Sequence, residues 1–186
     1  MRLPATLTDG VVVLRELRED DRAVVLSTMG DELVHTWLNM PAEPRDADFD
    51  SLIRAAREGR VSGDRIDYTV TEAGSDVALG AVIASRRARD NYEVAYLAGA
   101  AGRGRGYMTR AVRLLCEWLF QEGVGRLELR THPGNEPSQR LAERAGFQRE
   151  GLERKSIWLH GRRQDAIVWS LLPDDPRYAR EAPKGV

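Results

Sequence analysis

Glycines alternate with arginines at Gly102, Arg103, Gly104, Arg105 and Gly106, and this stretch carries the clearest chemistry in the chain. Glycine lets the backbone turn tightly and brings unhindered N–H groups close to a ligand. The run passes at once into an apolar-periodic segment, so the first turn of a helix adds unpaired donors and the positive end of its dipole. These features make an anion cradle, to which Arg103 and Arg105 add full charges. A plain strand-to-helix turn would use the same glycines, so the loop alone does not fix a function.

The other reactive residue types form no comparable cluster. Cys116 is the only cysteine, which excludes an intrachain disulfide or a thiolate metal cage, and its place in an apolar-periodic segment marks it as a packed core thiol. His35, His132 and His160 fall in different segments without metal-ligand spacing, so no metal is expected. Trp118, Trp158 and Trp169 read as core or groove walls, and Trp37 stands apart in a looser early segment.

The elements that must position the loop follow from periodicity. Met108, Ala111, Val112, Leu115 and Leu119 recur at the spacing of one helical face, and Gly123 and Gly125 stop that helix. Before it, residues 11–17 read as a first strand after the Asp9-Gly10 turn. A helix from Asp20 and Asp21 to about Met29 follows, then a second helix through Phe49, Leu52, Ile53 and Ala56 that Gly59 stops. Two helices are thus expected between the first and second strands. Residues 66–71, 77–85 and 93–98 form an antiparallel meander, with a charged turn at residues 86–91. Residues 127–131 make a strand after the glycine-loop helix, which implies a crossover and a parallel pair. Asn135 opens a short helix that Gly146 stops. A long hairpin turned at His160-Gly161 completes a mixed α/β sheet of the α+β kind.

With 186 residues, 42% hydrophobic and 31% charged, the chain fits one domain, placed at residues 1–172, with residues 173–186 as a frayed tail. A net charge of −1 gives no global attraction to nucleic acid or anionic lipid. Residues 1–10 lack an apolar signal core, and no apolar run nears the roughly 18 residues that span a membrane. The expectation is a cytoplasmic protein without nucleic-acid or membrane partners.

In its motifs the chain resembles the GNAT superfamily of acyl-CoA N-acyltransferases, most of all the branch that acetylates ribosomal-protein N-termini. The resemblance covers residues 11–172. It rests on the Q/R-x-x-G-x-G/A loop, met by Arg103, Gly106 and Met108, and on the strand Glu93, Val94, Ala95, Tyr96, Leu97 before it. The segment Asn135, Glu136, Pro137, Ser138 and the later Ala145, Gly146, Phe147 extend it. Met108 replaces the family's usual small residue, and Ala142 stands where many relatives carry the tyrosine that protonates the departing thiolate.

The resemblance implies that the family's fourth and fifth strands splay apart and hold the pantetheine arm of acetyl-CoA between them. It assigns cofactor binding to Leu97, Ala98, Arg103, Gly104, Arg105, Gly106, Tyr107, Met108, Asn135 and Ser138, with the pyrophosphate on the backbone N–H groups of the loop. Asn135 also reads as a plain helix N-cap. Glu93 is implied as the base; alternation places it beside Ala95 and Leu97, apolar neighbours that would favour its neutral form. Ser138 is the candidate to assist the leaving sulfur. The implied activity is acetyl transfer to a primary amine, foremost a peptide or protein N-terminus. A small-molecule amine (polyamine, antibiotic or amino acid) and a CoA-binding module without catalysis are the alternatives, and a homodimer is left open. A dinucleotide fold fails on glycine spacing, and a P-loop lacks its Lys-Ser or Lys-Thr.

Overall fold

In the computed structural model, which describes residues 3–176, eight strands form one sheet in the order β1-β2-β3-β4-β5-β6-β8-β7. β1 (Thr6–Thr8), β2 (Val12–Arg15), β3 (Arg65–Glu72), β4 (Gly80–Ala88) and β5 (Asn91–Ala98) run antiparallel in chain order. The helix α4 (Tyr107–Gln121) crosses over to β6 (Arg126–Thr131), which lies parallel to β5. β7 (Gln148–Leu159) and β8 (Arg162–Leu171) close the chain as a hairpin, with β8 lying between β6 and β7. The mixed sheet, its meander and its single parallel pair agree with the sequence expectation. Among the described residues no helix is long and apolar enough to cross a membrane.

The core lies on one face of this sheet. Met108, Ala111, Val112, Leu115 and Leu119 of α4 are each 5% exposed or less and meet Leu14, Tyr68, Val82 and Val94 from β2 to β5. Burying each large aliphatic side chain contributes about 1.5–3 kcal/mol, which is why periodicity alone placed this helix. Cys116 is fully buried in the same cluster, and burial pushes its thiol well above the ordinary range, so it is inert.

Three helices, not two, separate β2 from β3: α1 (Arg22–Met29), α2 (Glu32–Trp37) and α3 (Asp46–Ser62). The six-residue α2 is too short to show a period. It exists because the Asp31 side chain accepts from the N–H groups of Leu33 and Val34 and caps it. Helix α3 runs through Gly59 and stops at Gly63, which holds a left-handed φ of 73°. A side chain at Gly59 would place its Cβ 2.6 Å from Arg65 Cβ, so that glycine permits close packing of helix on strand rather than termination. β1 is an addition to the expected first strand, folded back on β2 by the Asp9-Gly10 turn.

The second meander strand starts at Gly80 rather than at residue 77; Val77 is 61% exposed, and the Leu79 carbonyl accepts from Gly99 N–H at 2.9 Å. It runs on to Ala88, shortening the expected charged turn. α5 (Glu136–Ala145) joins β6 to β7. Of the stretch expected to fray, Asp175 is buried and accepts from Gln148 Nε2 and Leu172 N–H, while residues 177–186 lie outside the described residues.

Candidate functional site

The parallel pair does not stay paired. β5 and β6 are in register at Asn91 with Arg126, Tyr92 with Leu127 and Glu93 with Glu128, and no further. Beyond Glu93, β5 stays on β4 as far as Ala98 with Gly80, while β6 stays on β8 as far as Thr131 with Ile167. The two strands therefore splay at their carboxyl ends, the place where open α/β sheets bind ligands. The glycine loop and the start of α5 stand beside that opening.

The loop is built by two kinds of glycine. At Gly102 a Cβ would come 2.4 Å from the Leu79 carbonyl oxygen, so this residue lets the loop pack on the backbone that enters β4. Gly104 and Gly106 have open space around them but hold φ of 71° and 77°, and Gly106 is the left-handed N-cap of α4. Among the described residues no hydrogen-bond acceptor takes the N–H groups of Gly104, Arg105, Gly106, Tyr107 or Met108. Tyr107 and Met108 turn their side chains into the core, so Met108 leaves its N–H clear. It also packs where Gly80 lacks a side chain: a Cβ there would lie 3.1 Å from Met108 Sδ. This run of unpartnered donors fits a pyrophosphate.

Each arginine of the loop already has an acidic partner. Arg103 grips Asp31 with both terminal nitrogens, at 3.1 and 2.5 Å, and gives its Nε to the Ala98 carbonyl at 3.2 Å. That fork, with the cap bonds, holds the Asp31 carboxyl below the usual range. Arg105 lies 4.7 Å over the Tyr107 ring and 3.6 Å from Glu72, which also accepts the Tyr107 hydroxyl. Arg103 is thus a tie between the loop and the cap of α2, and the unpartnered donors of the loop are backbone groups.

Across the splay, Asn135 caps α5 by accepting from Ser138 N–H at 3.2 Å, the plainer of its two readings. Ser138 Oγ accepts from the Tyr96 hydroxyl of β5 at 2.7 Å. Ala142, one turn further along α5, is fully buried. Tyr96, part of the strand motif but not among the expected site residues, shares the core-facing register of Tyr92 and Val94, where a phenol needs a partner. Leu97 and Ala98 end β5 at the opening, paired on their other side with Ala81 and Gly80.

Glu93 sits on the opposite face of β5, and its surroundings differ from expectation. Its carboxylate accepts from Arg87, at Nε and Nη2, and from Arg130 Nη1 at 3.2 Å. Arg130 in turn reaches Glu128 and Glu153. The neighbours that matter are guanidiniums, because long side chains from β4 and β6 reach across a strand where alternation shows only Ala95 and Leu97. From α2, Trp37 meets His132 in a tilted ring contact of 5.2 Å, and His35 lies 4.9 Å from His160, joining α2 to the turn of the last hairpin.

The comparisons agree with this architecture. Residues 12–148 match the family model described as Acetyltransferase (GNAT) domain. A Bacillus subtilis protein named as a probable N-acetyltransferase, YjcK, is 34% identical over 113 residues, a match spanning 58% of this chain and 62% of YjcK, under two thirds of that relative. The ribosomal-protein-S5-alanine acetyltransferase from Vibrio fischeri has the same fold, with a TM-score of 0.76 and 20% identity over 92% of this chain and 98% of that one. The microcin C7 self immunity acetyltransferase MccE, solved with acetyl-CoA and AMP, superposes with a TM-score of 0.81 at 20% identity over 92% and 98% of the two chains. With its family model matched across most of the length and a splayed, glycine-cradled crevice in place, this chain belongs to the GNAT acetyltransferase family, whose cosubstrate is acetyl-CoA.

Proposed function

We propose that the protein transfers an acetyl group from acetyl-CoA to the α-amino group of a peptide or protein N-terminus. The observation that carries this choice of amine is the Glu93 carboxylate, shared between Arg87 and Arg130. Both guanidiniums bond to Oε2, which fixes the carboxylate and leaves Oε1 open to water, and a single base of this kind suits an acceptor that is already partly neutral. At pH 7, freeing the proton costs roughly 1.4 kcal/mol for an α-amine of pKa near 8 and roughly 4.6 kcal/mol for a lysine of pKa near 10.4.

When bound, acetyl-CoA supplies its acetyl group already activated as a thioester. The N–H groups of residues 104–108 hold the pyrophosphate, Arg103 keeps that loop in shape, and Leu97 and Ala98 flank the arm. Glu93 receives the amine proton through water, and Ser138 faces the departing sulfur from the first turn of α5. The name of the Vibrio fischeri neighbour, an acetyltransferase for an alanine of a ribosomal protein, supports an N-terminal acceptor. The same reading sets the reaction in the cytoplasm, where a lone buried thiol such as Cys116 is at home. MccE, solved with AMP, supports the second reading, a small-molecule amine, and the buried Ala142 would suit a module that only binds CoA.

Mass spectrometry of short peptides incubated with enzyme and acetyl-CoA tests the proposal, with free lysine and small amines in competition. Acetyl groups are expected on N-termini. Glu93→Gln should cut the rate most at low pH, where more amine is protonated, and leave acetyl-CoA affinity unchanged. Acetylation confined to lysine side chains or to a small amine would overturn the reading.

A further inference from the structure

Tyr96 and Ser138 come from different sides of the splay, 42 residues apart in the chain, yet their hydroxyl oxygens lie 2.7 Å apart. Tyr96 lies three residues past Glu93, the last position at which β5 pairs with β6, and its ring packs against the core cluster beneath the opening. Its hydroxyl donates to Ser138 Oγ, and the Ser138 carbonyl lies at a longer 3.4 Å. Among the described residues nothing accepts the hydrogen of Ser138 itself. The backbone of Ser138 is fixed as well, since its N–H is given to Asn135 Oδ1.

We propose that Tyr96 is a positioning residue for the leaving group: by donating to Ser138 Oγ it commits the Ser138 hydrogen to the crevice, where that hydrogen steadies the sulfur as the carbon–sulfur bond breaks. This deepens the acetyl-transfer reading and rests on it. A serine hydroxyl alone rotates freely and accepts as readily as it donates. With its oxygen already accepting from a ring held by packing, donation is the role left to its hydrogen, and the positive end of the α5 dipole favours negative charge at the same place. Burial pushes the Tyr96 phenol up to about 12, so it stays protonated and able to donate across the neutral range. Ala142, on the same face of α5 one turn away, offers no hydroxyl of its own.

The step balances without a proton from either hydroxyl. The amine nitrogen bonds to the acetyl carbon, the carbon–sulfur pair goes to sulfur, and the amine proton passes through water to Glu93. Tyr96 and Ser138 end as they began.

The test uses CoA itself as the probe: the ultraviolet absorbance of its thiolate is followed against pH while bound to the protein. In the wild type the bound thiol should ionise below free CoA. Tyr96→Phe and Ser138→Ala should each raise that value by about one pH unit and lower kcat about tenfold, with KM for acetyl-CoA unchanged. The double variant should be no worse than either single one, because the two act in series. Ser138→Thr, which keeps the hydroxyl, should recover most of what Ser138→Ala loses. Phe retains the ring, so the variant removes the hydroxyl alone. The proposal is overturned if Tyr96→Phe leaves the bound thiol unchanged while Ser138→Ala shifts it, or if the two effects add. It is equally overturned if no variant moves it, with acetyl transfer left standing. Failure of the wild type to bind CoA would instead remove the reading beneath it.

Discussion

Gly104 and Gly106 show how a single residue type can be required for backbone conformation and not for room. A Cβ at either meets nothing within 4 Å, yet both hold φ above 70°. An L-residue there costs about 1–2 kcal/mol in backbone strain. Gly106→Ala should therefore lower the unfolding free energy by about that much and weaken CoA binding, as the N–H groups of the cradle rotate out of line. Gly102 works differently, since its Cβ would strike the Leu79 carbonyl oxygen at 2.4 Å. Gly102→Ala should be the more damaging of the two. Denaturant titration with calorimetry of CoA binding checks both, and a Gly102→Ala protein as stable as Gly106→Ala would contradict this account of the loop.

Among the elements, α2 depends on one side chain for two purposes. Asp31 caps it through Leu33 and Val34 and also receives the Arg103 fork from the glycine loop. Asparagine is as good a cap as aspartate but cannot pair with a guanidinium. Asp31→Ala should thus cost about 1 kcal/mol more stability than Asp31→Asn, the difference being the cap. Both should weaken CoA binding, because each frees Arg103 from the position in which it braces the loop. Wild-type affinity in Asp31→Asn would show that the tie does not shape the cradle. Beyond α2, the side chain of Asn39 bonds to both Trp158 and His160 in the last hairpin.

Over the whole molecule, the buried pair of Arg15 and Asp21 draws separate elements together. Two bonds of 2.7 Å join the guanidinium to the carboxylate, and Arg15 also reaches the Asp76 carbonyl, so β2, the entry to α1 and the segment before β4 meet at one charge. Burial pushes the Asp21 carboxyl up, but the Arg15 fork and the Arg18 N–H outweigh it, leaving it below its ordinary value. A carboxylate lowered in this way contributes stability that is full above its unfolded pKa, near 4, and is lost as pH falls through the folded value. Asp21→Asn strands Arg15 as an uncompensated buried charge, with an expected loss of about 3–5 kcal/mol at neutral pH. The variant should also show a shallower acid limb, its stability falling less steeply than the wild type below pH about 4. Thermal unfolding across pH measures both; a parallel acid limb would show that Asp21 does not drive acid unfolding.

What the sequence determined by itself is local. The spacing of Met108, Ala111, Val112, Leu115 and Leu119 places α4, because a helix face repeats within one or two turns. Alternation likewise fixed the strands of the meander and the face on which Glu93 stands. Tertiary structure alone decided where those side chains spend their charges and hydrogen bonds. Arg103 meets Asp31 across 72 residues, Tyr96 meets Ser138 across 42, and Arg130 meets Glu93 across 37. It also decided that Gly59 lies inside α3 and that Asp31 starts a helix, since one answers to Arg65 and the other is braced by Arg103. Periodicity carries no information about such partners, because a long polar side chain is free to satisfy itself wherever the fold brings a complementary group within about 3 Å.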